Sequence, residues 1–343
     1  MDVRRYDRSD AEAWNAFVEK ARNATFLFDR RYMDYHQDRF HDHSLLFFKK
    51  GQLMALLPAN AEGTTLYSHQ GLTYGGLITD LRATAATVCE MFEAMNSYCR
   101  EQGFERVVYK AIPWIYHDYP SEEALYALTS VCQAKLYRRA VGTTLPLLAS
   151  HSTFTEARKS GLRKAQRAGL RIEQSRDIAA FWRILDDNLQ QNHGTHPVHT
   201  QAELQLLAER FPRNILLYMA YDGDEPVGGV LLYLTKTVLH TQYISASQKG
   251  KALGAVDALI QQIINDYTSS SEGLNDVGTL PLSEGRNKVS YFDFGTSVIG
   301  DQCLLNEPLI FQKEGFGGRA ICYDTYSWNI PTPHHPSPST HRP

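Results

Sequence analysis

The sequence predicts an α+β protein of two domains in tandem, each a mixed, mainly antiparallel sheet flanked by helices. Three observations predict it. The 343 residues exceed the roughly 100 to 200 residues of one ordinary domain. Apolar and β-branched runs of strand length alternate with helical periodicity, and turn residues separate them. The order strand, strand, strand, loop, helix, strand, helix, strand is read in each half from periodicity alone, without likeness in sequence. The 43% apolar and 21% charged content is that of a globular chain.

In the first half, Ser44 to Lys49 and Leu53 to Pro58 form strands about a turn at Gly51, followed by Thr65 to Ser68 and Tyr74 to Thr79. Val88, Met91, Met95 and Tyr98 then share one helical face. A strand from Arg106 to Ala111, a helix from Ser121 to Lys135 and a strand from Ala140 to Leu147 complete a domain over 1–150. In the second half, Ile215 to Tyr221 and Val227 to Leu234 flank the hairpin chemistry of Asp222-Gly-Asp-Glu-Pro226. Val238 to Ser245 adds a third strand. Val256, Leu259, Ile260, Ile263, Ile264 and Tyr267 mark a helix, Tyr291 to Phe294 a strand, Asn306 the start of a helix and Ala320 to Trp328 a last strand. These fill a domain over 171–330.

Between the domains, residues 151–170 form a helical connector carrying Arg158, Lys159, Arg163, Lys164 and Arg167. It reads either as a solvated face or as a clamp for the phosphates of a nucleotide- or tRNA-linked substrate. The tail 331–343, rich in Pro, Ser and His, is expected to be disordered.

A formal net charge of −3 excludes a globally basic nucleic-acid binder. Five scattered cysteines without a CxxC pair read as reduced thiols, and no leader or membrane-length apolar run is present in the sequence. A cytoplasmic protein without membrane insertion is expected. The run His193-Gly-Thr-His196-Pro-Val-His199 invites a metal reading, but glycine and proline break any helix through it and no carboxylate lies within it. No metal is expected; an acceptor-facing loop is. Asp293 points away from Phe292 and Phe294 on a regular strand, where it orients an acceptor amine or caps the following turn.

Four local patterns, in their order, resemble tandem GNAT proteins of the FemABX-like branch over residues 1 to about 330. They are Gly71-Leu-Thr-Tyr-Gly-Gly76, Arg163-Lys-Ala-Gln-Arg-Ala-Gly169, Phe292-Asp-Phe-Gly295 and Phe311-Gln-Lys-Glu-Gly-Phe-Gly317. The resemblance implies two GNAT folds with the chemistry in the second. It implies an acyl donor, acetyl-CoA or another acyl-CoA, on a loop represented by Lys249, Gly250, Lys251, Ala252, Gly254 and Ala255. In that family small residues of the loop let backbone amides approach a pyrophosphate. The parted strands are expected to present Ile244 and Ser245 to the donor, with Tyr243 beside it as a catalytic candidate and Asn306 opening the last helix with its side chain next to the donor.

GNAT enzymes carry a tyrosine seven positions after that asparagine; here the position is Lys313, the pattern of the FemABX-like branch. Lys313 is expected to protonate a leaving group or to act as a fixed positive charge on the oxyanion; as a plain surface lysine it would pair with Glu314. Tyr74 in the first half, with His193, His196 and His199, is expected to meet the substrate. The first half, reading Thr79-Asp-Leu-Arg-Ala-Thr-Ala where a donor loop would be, is expected to bind no donor. The implied activity is N-acyl transfer to a small-molecule amine, an amino sugar or another cell-envelope precursor. The alternatives are aminoacyl-tRNA-dependent peptidyl transfer and a non-catalytic GNAT-fold binding module.

Overall fold

The computed structural model describes residues 1–147, 153–193, 196–268 and 289–331. The disorder expected of the tail falls on 332–343, outside the described residues. The chain forms two compact units, Met1–Arg139 with Tyr323–Pro343, and Ala140–Cys322.

The first unit opens with β1 (Asp2–Arg5), α1 (Ala11–Lys20) and α2 (Arg30–Met33), followed by β2 (Leu45–Lys49) and β3 (Gln52–Leu57). Next come β4 (Asn60–Glu62), β5 (Thr65–Tyr67), β6 (Ile78–Thr79), α3 (Ala85–Glu101), β7 (Arg106–Lys110) and α4 (Glu123–Ser130). Strands β1, β2, β3 and β6 form an antiparallel sheet. β4 pairs antiparallel with β5, which pairs parallel with β7. Val88, Met91, Phe92 and Met95 are the apolar stripe of α3 and are buried, as the helical spacing requires. The strand expected from Tyr74 shrinks to two residues because Gly75 lies against the chain, its absent Cβ standing 2.0 Å from the Ser68 carbonyl oxygen. Lys110, half-buried, donates to the carbonyls of His69, Gln70 and Leu72 at 3.3, 2.9 and 2.8 Å and ties down that loop.

The chain passes between the units within β8 (Lys135–Pro146) and within the last strand, β16 (Arg319–Asn329). This differs from boundaries at 150 and 330. Hydrogen bonding is the cause: Thr325 to Asn329 pairs antiparallel with Lys110 to Arg106, so the end of the chain belongs to the first unit. There Trp328 packs against Phe92 and Tyr109.

The second unit contains α5 (Glu156–Ala168), β9 (Arg171–Ser175), α6 (Ile178–His193), α7 (Gln201–Arg210), β10 (Ile215–Asp222), β11 (Glu225–Leu234) and β12 (Val238–Ala246). After them come α8 (Gln248–Leu253), α9 (Ala255–Thr268), β13 (Tyr291–Thr296), the short hairpin β14 (Val298–Ile299) and β15 (Leu304–Leu305), and α10 (Glu307–Glu314). The sheet runs β8-β13-β12-β11-β10-β9, antiparallel except where β12 meets β13. Leu259, Ile260 and Ile263 of α9 bury themselves with Val227, Val230 and Leu232 in one core.

Helix α5 is no loose connector. A Cβ at Gly254 would stand 2.1 Å from the Gly161 carbonyl oxygen, and one at Gly161 would stand 2.0 Å from Asp257 Oδ2, so two glycines let α5 touch the start of α9. Arg158 pairs with Asp257 at 3.0 Å and lies over the Phe316 ring, and Thr155 donates its N–H to Gly315 at 2.8 Å. The cationic helix is a strut of the second unit, and its remaining charged face is exposed at Lys159, Arg163 and Arg167.

Gly254 also has φ +78, where a side chain is disfavoured. Gly254→Ala is therefore expected to lower the unfolding free energy by about 2–3 kcal/mol in urea titration, from overpacking plus backbone strain, with no ligand present. Unchanged stability would show that α5 is not seated on α9.

Candidate active site

The site begins where two parallel strands part. Pairing between β12 and β13 covers Val238 with Tyr291, Leu239 with Phe292 and His240 with Asp293, and stops there. Beyond it β12 runs on beside β11 to Ala246, while β13 stays with β8 through an irregularity between Asp293 and Thr296. Gly295, at φ +68, makes the bend because glycine adopts that conformation without strain. From Thr241 onward β12 has lost its neighbour on that side. Amides facing such a gap are free to meet a ligand.

A second irregularity sets which side chains share a face. Leu232 pairs with Thr241 and Leu231 with Tyr243, so Gln242 is the extra residue of a β-bulge. Tyr243 thus aligns with Leu231, and His240 with Tyr233. Register partners share a face and alternate residues return to it, so the bulge brings His240 and Tyr243 to one face although they are three apart.

Asp293 is the centre of the buried polar group. Phe292 and Phe294 enter the apolar core, and strand alternation turns Asp293 the other way, where it is fully buried. Its Oδ1 accepts from Thr144 Oγ1 at 3.0 Å and from the Gly295 N–H at 3.1 Å; its Oδ2 meets His240 Nδ1 at 2.7 Å. A buried carboxylate is tolerable only with such partners.

Lys313 approaches from α10. Asn306 starts that helix, its side chain accepting from the Leu309 N–H at 3.2 Å, with Pro308 in the first turn. Two turns on, the buried Lys313 ammonium donates to the carbonyls of Gly295 at 3.1 Å and Thr296 at 2.8 Å. Burial pushes its pKa down to about 8, against the opposing pull of Asp293. Lys313 therefore clamps the bend that holds Asp293.

The other sequence-derived positions fall into three places. Tyr243 hydrogen-bonds His199 Nδ1 at 2.7 Å, with the rings edge to face, and burial raises its phenol pKa. His196 is exposed and lies 2.8 Å from Asp186. His193 ends α6. Ile244 and Ser245 lie on β12 beyond the fork, Ser245 Oγ donating to the Ile184 carbonyl at 3.3 Å.

Around the expected donor loop, residues 248–253 form helix α8, capped by Ser247, whose Oγ accepts from the Gly250 N–H at 3.1 Å. Gly250 presses on Val227, its absent Cβ 2.0 Å from the carbonyl oxygen, and Gly254 on Gly161. Lys249 pairs with Asp222 at 2.7 Å and with Glu225, and Lys251 donates to Asn188. Ala252 is exposed and Ala255 buried. Tyr74 lies in the core of the first unit, its ring against Phe28 and Tyr116 and its hydroxyl 3.3 Å from Thr25 Oγ1.

His240 and Thr144 are the members of the cluster that residue patterns did not single out. A histidine inside the apolar run Val238-Leu-His-Thr was the available signal for the first. For Thr144 the signal is absent without the pairing of β8 and β13.

Residues 154–278 match the family described as "Acetyltransferase (GNAT) domain". That span carries α5 to α9, including β12, and ends before Asp293 and Lys313. No curated protein sequence matches the chain significantly. Among solved structures, FemX superposes with a TM-score of 0.64 at 10% identity, covering 96% of this chain and 97% of FemX. L-PGS from Bacillus licheniformis gives 0.56 at 13%, covering 94% and 92%. The C-terminal domain of a protein assigned as a lysylphosphatidylglycerol synthetase in Agrobacterium fabrum gives 0.54 at 12%, covering 92% of each chain. The chain therefore carries a GNAT acetyltransferase domain within a fold that it shares with FemX along nearly its whole length.

Proposed function

We propose that this chain is a cytoplasmic N-acyltransferase that moves an acyl group from acyl-CoA to a small-molecule amine, with an amino sugar or other cell-envelope precursor as the acceptor class. The observation that carries the reading is the buried Lys313 ammonium beside Asp293, where β12 and β13 part. Acyl transfer passes through an oxyanion, and a fixed positive charge in a water-poor site stabilises it strongly. Two of the three N–H donors of Lys313 hold backbone carbonyls; the third serves the oxyanion. The GNAT match over 154–278 supports the class of reaction. Tyr243 and His199, on the His240 face of β12, are assigned to the acceptor.

A specific observation favours a second donor, an aminoacyl ester of tRNA. The glycines at 250 and 254 are occupied by packing, Lys249 is held by two carboxylates, and α5 exposes Lys159, Arg163 and Arg167 at four-residue spacing. Phosphate binding to such a stripe is salt-dependent and sequence-independent.

Thermal unfolding separates the donors. Acetyl-CoA at a hundredfold excess over its Kd is expected to stabilise the protein by about 2.7 kcal/mol. No shift with acetyl-CoA, together with retention of tRNA on a filter that Arg167→Glu weakens, would select the second donor. No response to either would leave a non-catalytic binding module.

Lys313 supplies a pH test. Its ammonium is retained below about pH 8 and lost above it, so a cationic role predicts a rate that falls as pH rises through about 8. A rate that climbs through the same range would make Lys313 a base instead. Lys313→Ala is expected to lower kcat by a factor on the order of 100 while leaving donor-induced stabilisation in place. Parent-like turnover of that variant would remove Lys313 from the mechanism.

A further inference from the structure

Along the last residues of β16 and the segment 132–137, which leads into β8, runs a groove of about 550 Å³, the size of a small-molecule site. All of its lining belongs to the first unit. We propose that this groove binds a nucleotide, with the phosphate held by Arg106 and Lys135 and the base laid on the Tyr137 ring. The inference is independent of the acyl-transfer reading, and either stands if the other fails.

Charge sets the class of ligand. The lining carries two cations and no carboxylate, in a chain where acidic residues outnumber basic ones by 38 to 35. Arg106 is tethered through Nε, which donates to Ser327 Oγ at 2.8 Å, and its guanidinium has no carboxylate partner among the described residues. Lys135 is exposed and likewise has no ion-pair partner among them. Two unneutralised cations in one groove select an anion of more than one charge, and the guanidinium fork suits phosphate.

Tyr137 supplies the aromatic half of the site. Arg106 Cζ lies 4.9 Å from the centre of its ring, a cation–π contact that fixes the ring, yet the residue is 60% exposed. A ring anchored in this way and open to solvent is a platform for a base. Lys135, two residues earlier on the same strand, shares its face. Arg106 in turn shares a face with its register partner Asn329.

Two amides complete the lining. The side chains of Gln133 and Asn329 are exposed and without a partner among the described residues. Each offers a donor and an acceptor, the pair of functions that reads the edge of a base. Gln133 stands at φ +50, where glycine would be unstrained, so the turn keeps a long amide side chain at a conformational cost. The floor is built in advance: Trp328 Nε1 donates to Asn96 Oδ1 at 2.9 Å, and the Asn96 amide donates to Cys132 Sγ at 3.5 Å.

Isothermal titration of the full-length protein with AMP and with UMP tests the assignment. A Kd below about 1 mM is expected for at least one of them. Lys135→Glu should weaken it at least about tenfold and Tyr137→Ala at least about fivefold. Both side chains are exposed, so the melting temperature should stay within about 2 °C of the parent. Adenosine and inorganic phosphate should each bind at least about tenfold more weakly than AMP. Failure of both nucleotides to bind in the millimolar range, or affinities that neither substitution moves, would overturn the proposal. Inorganic phosphate binding as tightly as AMP would overturn it as well, leaving an anion patch without a base site.

Hydrogen exchange locates the ligand without any substitution. Bound nucleotide is expected to slow exchange in 132–139 and 325–331, and slowing confined to other segments would overturn the placement. A tetranucleotide in place of AMP identifies the source: tighter binding of the strand assigns the groove to RNA, and equal or weaker binding assigns it to the free nucleotide. Either result supports the site.

Discussion

The second unit is organised around the burial of one carboxylate. Asp293 has no exposed surface, and a charge in that position costs several kcal/mol unless it is paired and hydrogen-bonded. The partners must come from separate strands: Thr144 from β8, His240 from β12, and the Gly295 N–H from the bend. Satisfying the carboxylate therefore fixes the register of three strands at the point where two of them separate. Lys313 reaches the same bend through its carbonyls, so α10 is placed by the same demand. Phe292 and Phe294 hold the opposite side of the strand in the core, and the polar group cannot rotate away without emptying that core.

Irregular backbone, rather than a special residue, selects what meets in the gap. The bulge at Gln242 shifts β12 by one position against β11, which turns two residues of unlike parity, His240 and Tyr243, to a common side. The left-handed bend at Gly295 then removes side-chain bulk from beside the His240 ring. Such bulges sit where a side chain must be re-aimed. The result is two polar pairs on one face, His240 with Asp293 and Tyr243 with His199, about a single strand.

Much of this was legible in residue patterns, and the gaps have physical reasons. The strands Ile215–Asp222, Glu225–Leu234 and Val238–Ala246 announced themselves because their apolar runs are long and their hairpin turn carries Gly and Asp. Lys313 and Asp293 were visible as positions in local motifs; the family match over 154–278 bears out the GNAT resemblance, and the fold is shared with FemX. The bond between His240 and Asp293 was not visible, because it joins residues 53 positions apart through a parallel register. The glycines of the donor-loop pattern show the converse. Their spacing suggested room for a phosphate, and the packing of Gly254 on Gly161 gives the same residues a second reason to be small. Periodicity likewise could not tell which unit the last strand joins, since its apolar pattern fits either sheet.

That last strand has a consequence for how the protein comes into being. Arg106 of β7 meets Ser327 of β16 across 221 positions of sequence, so the first unit lacks an interior strand until the whole of the second unit has been made. Loop closure over such a distance is slow. A nascent chain leaving the ribosome would hold the first unit open, with the groove beside β7 and its ring cluster of Phe92 and Tyr109 uncovered, while the second unit folds in between. Of the two units, the first in sequence is thus the later to close.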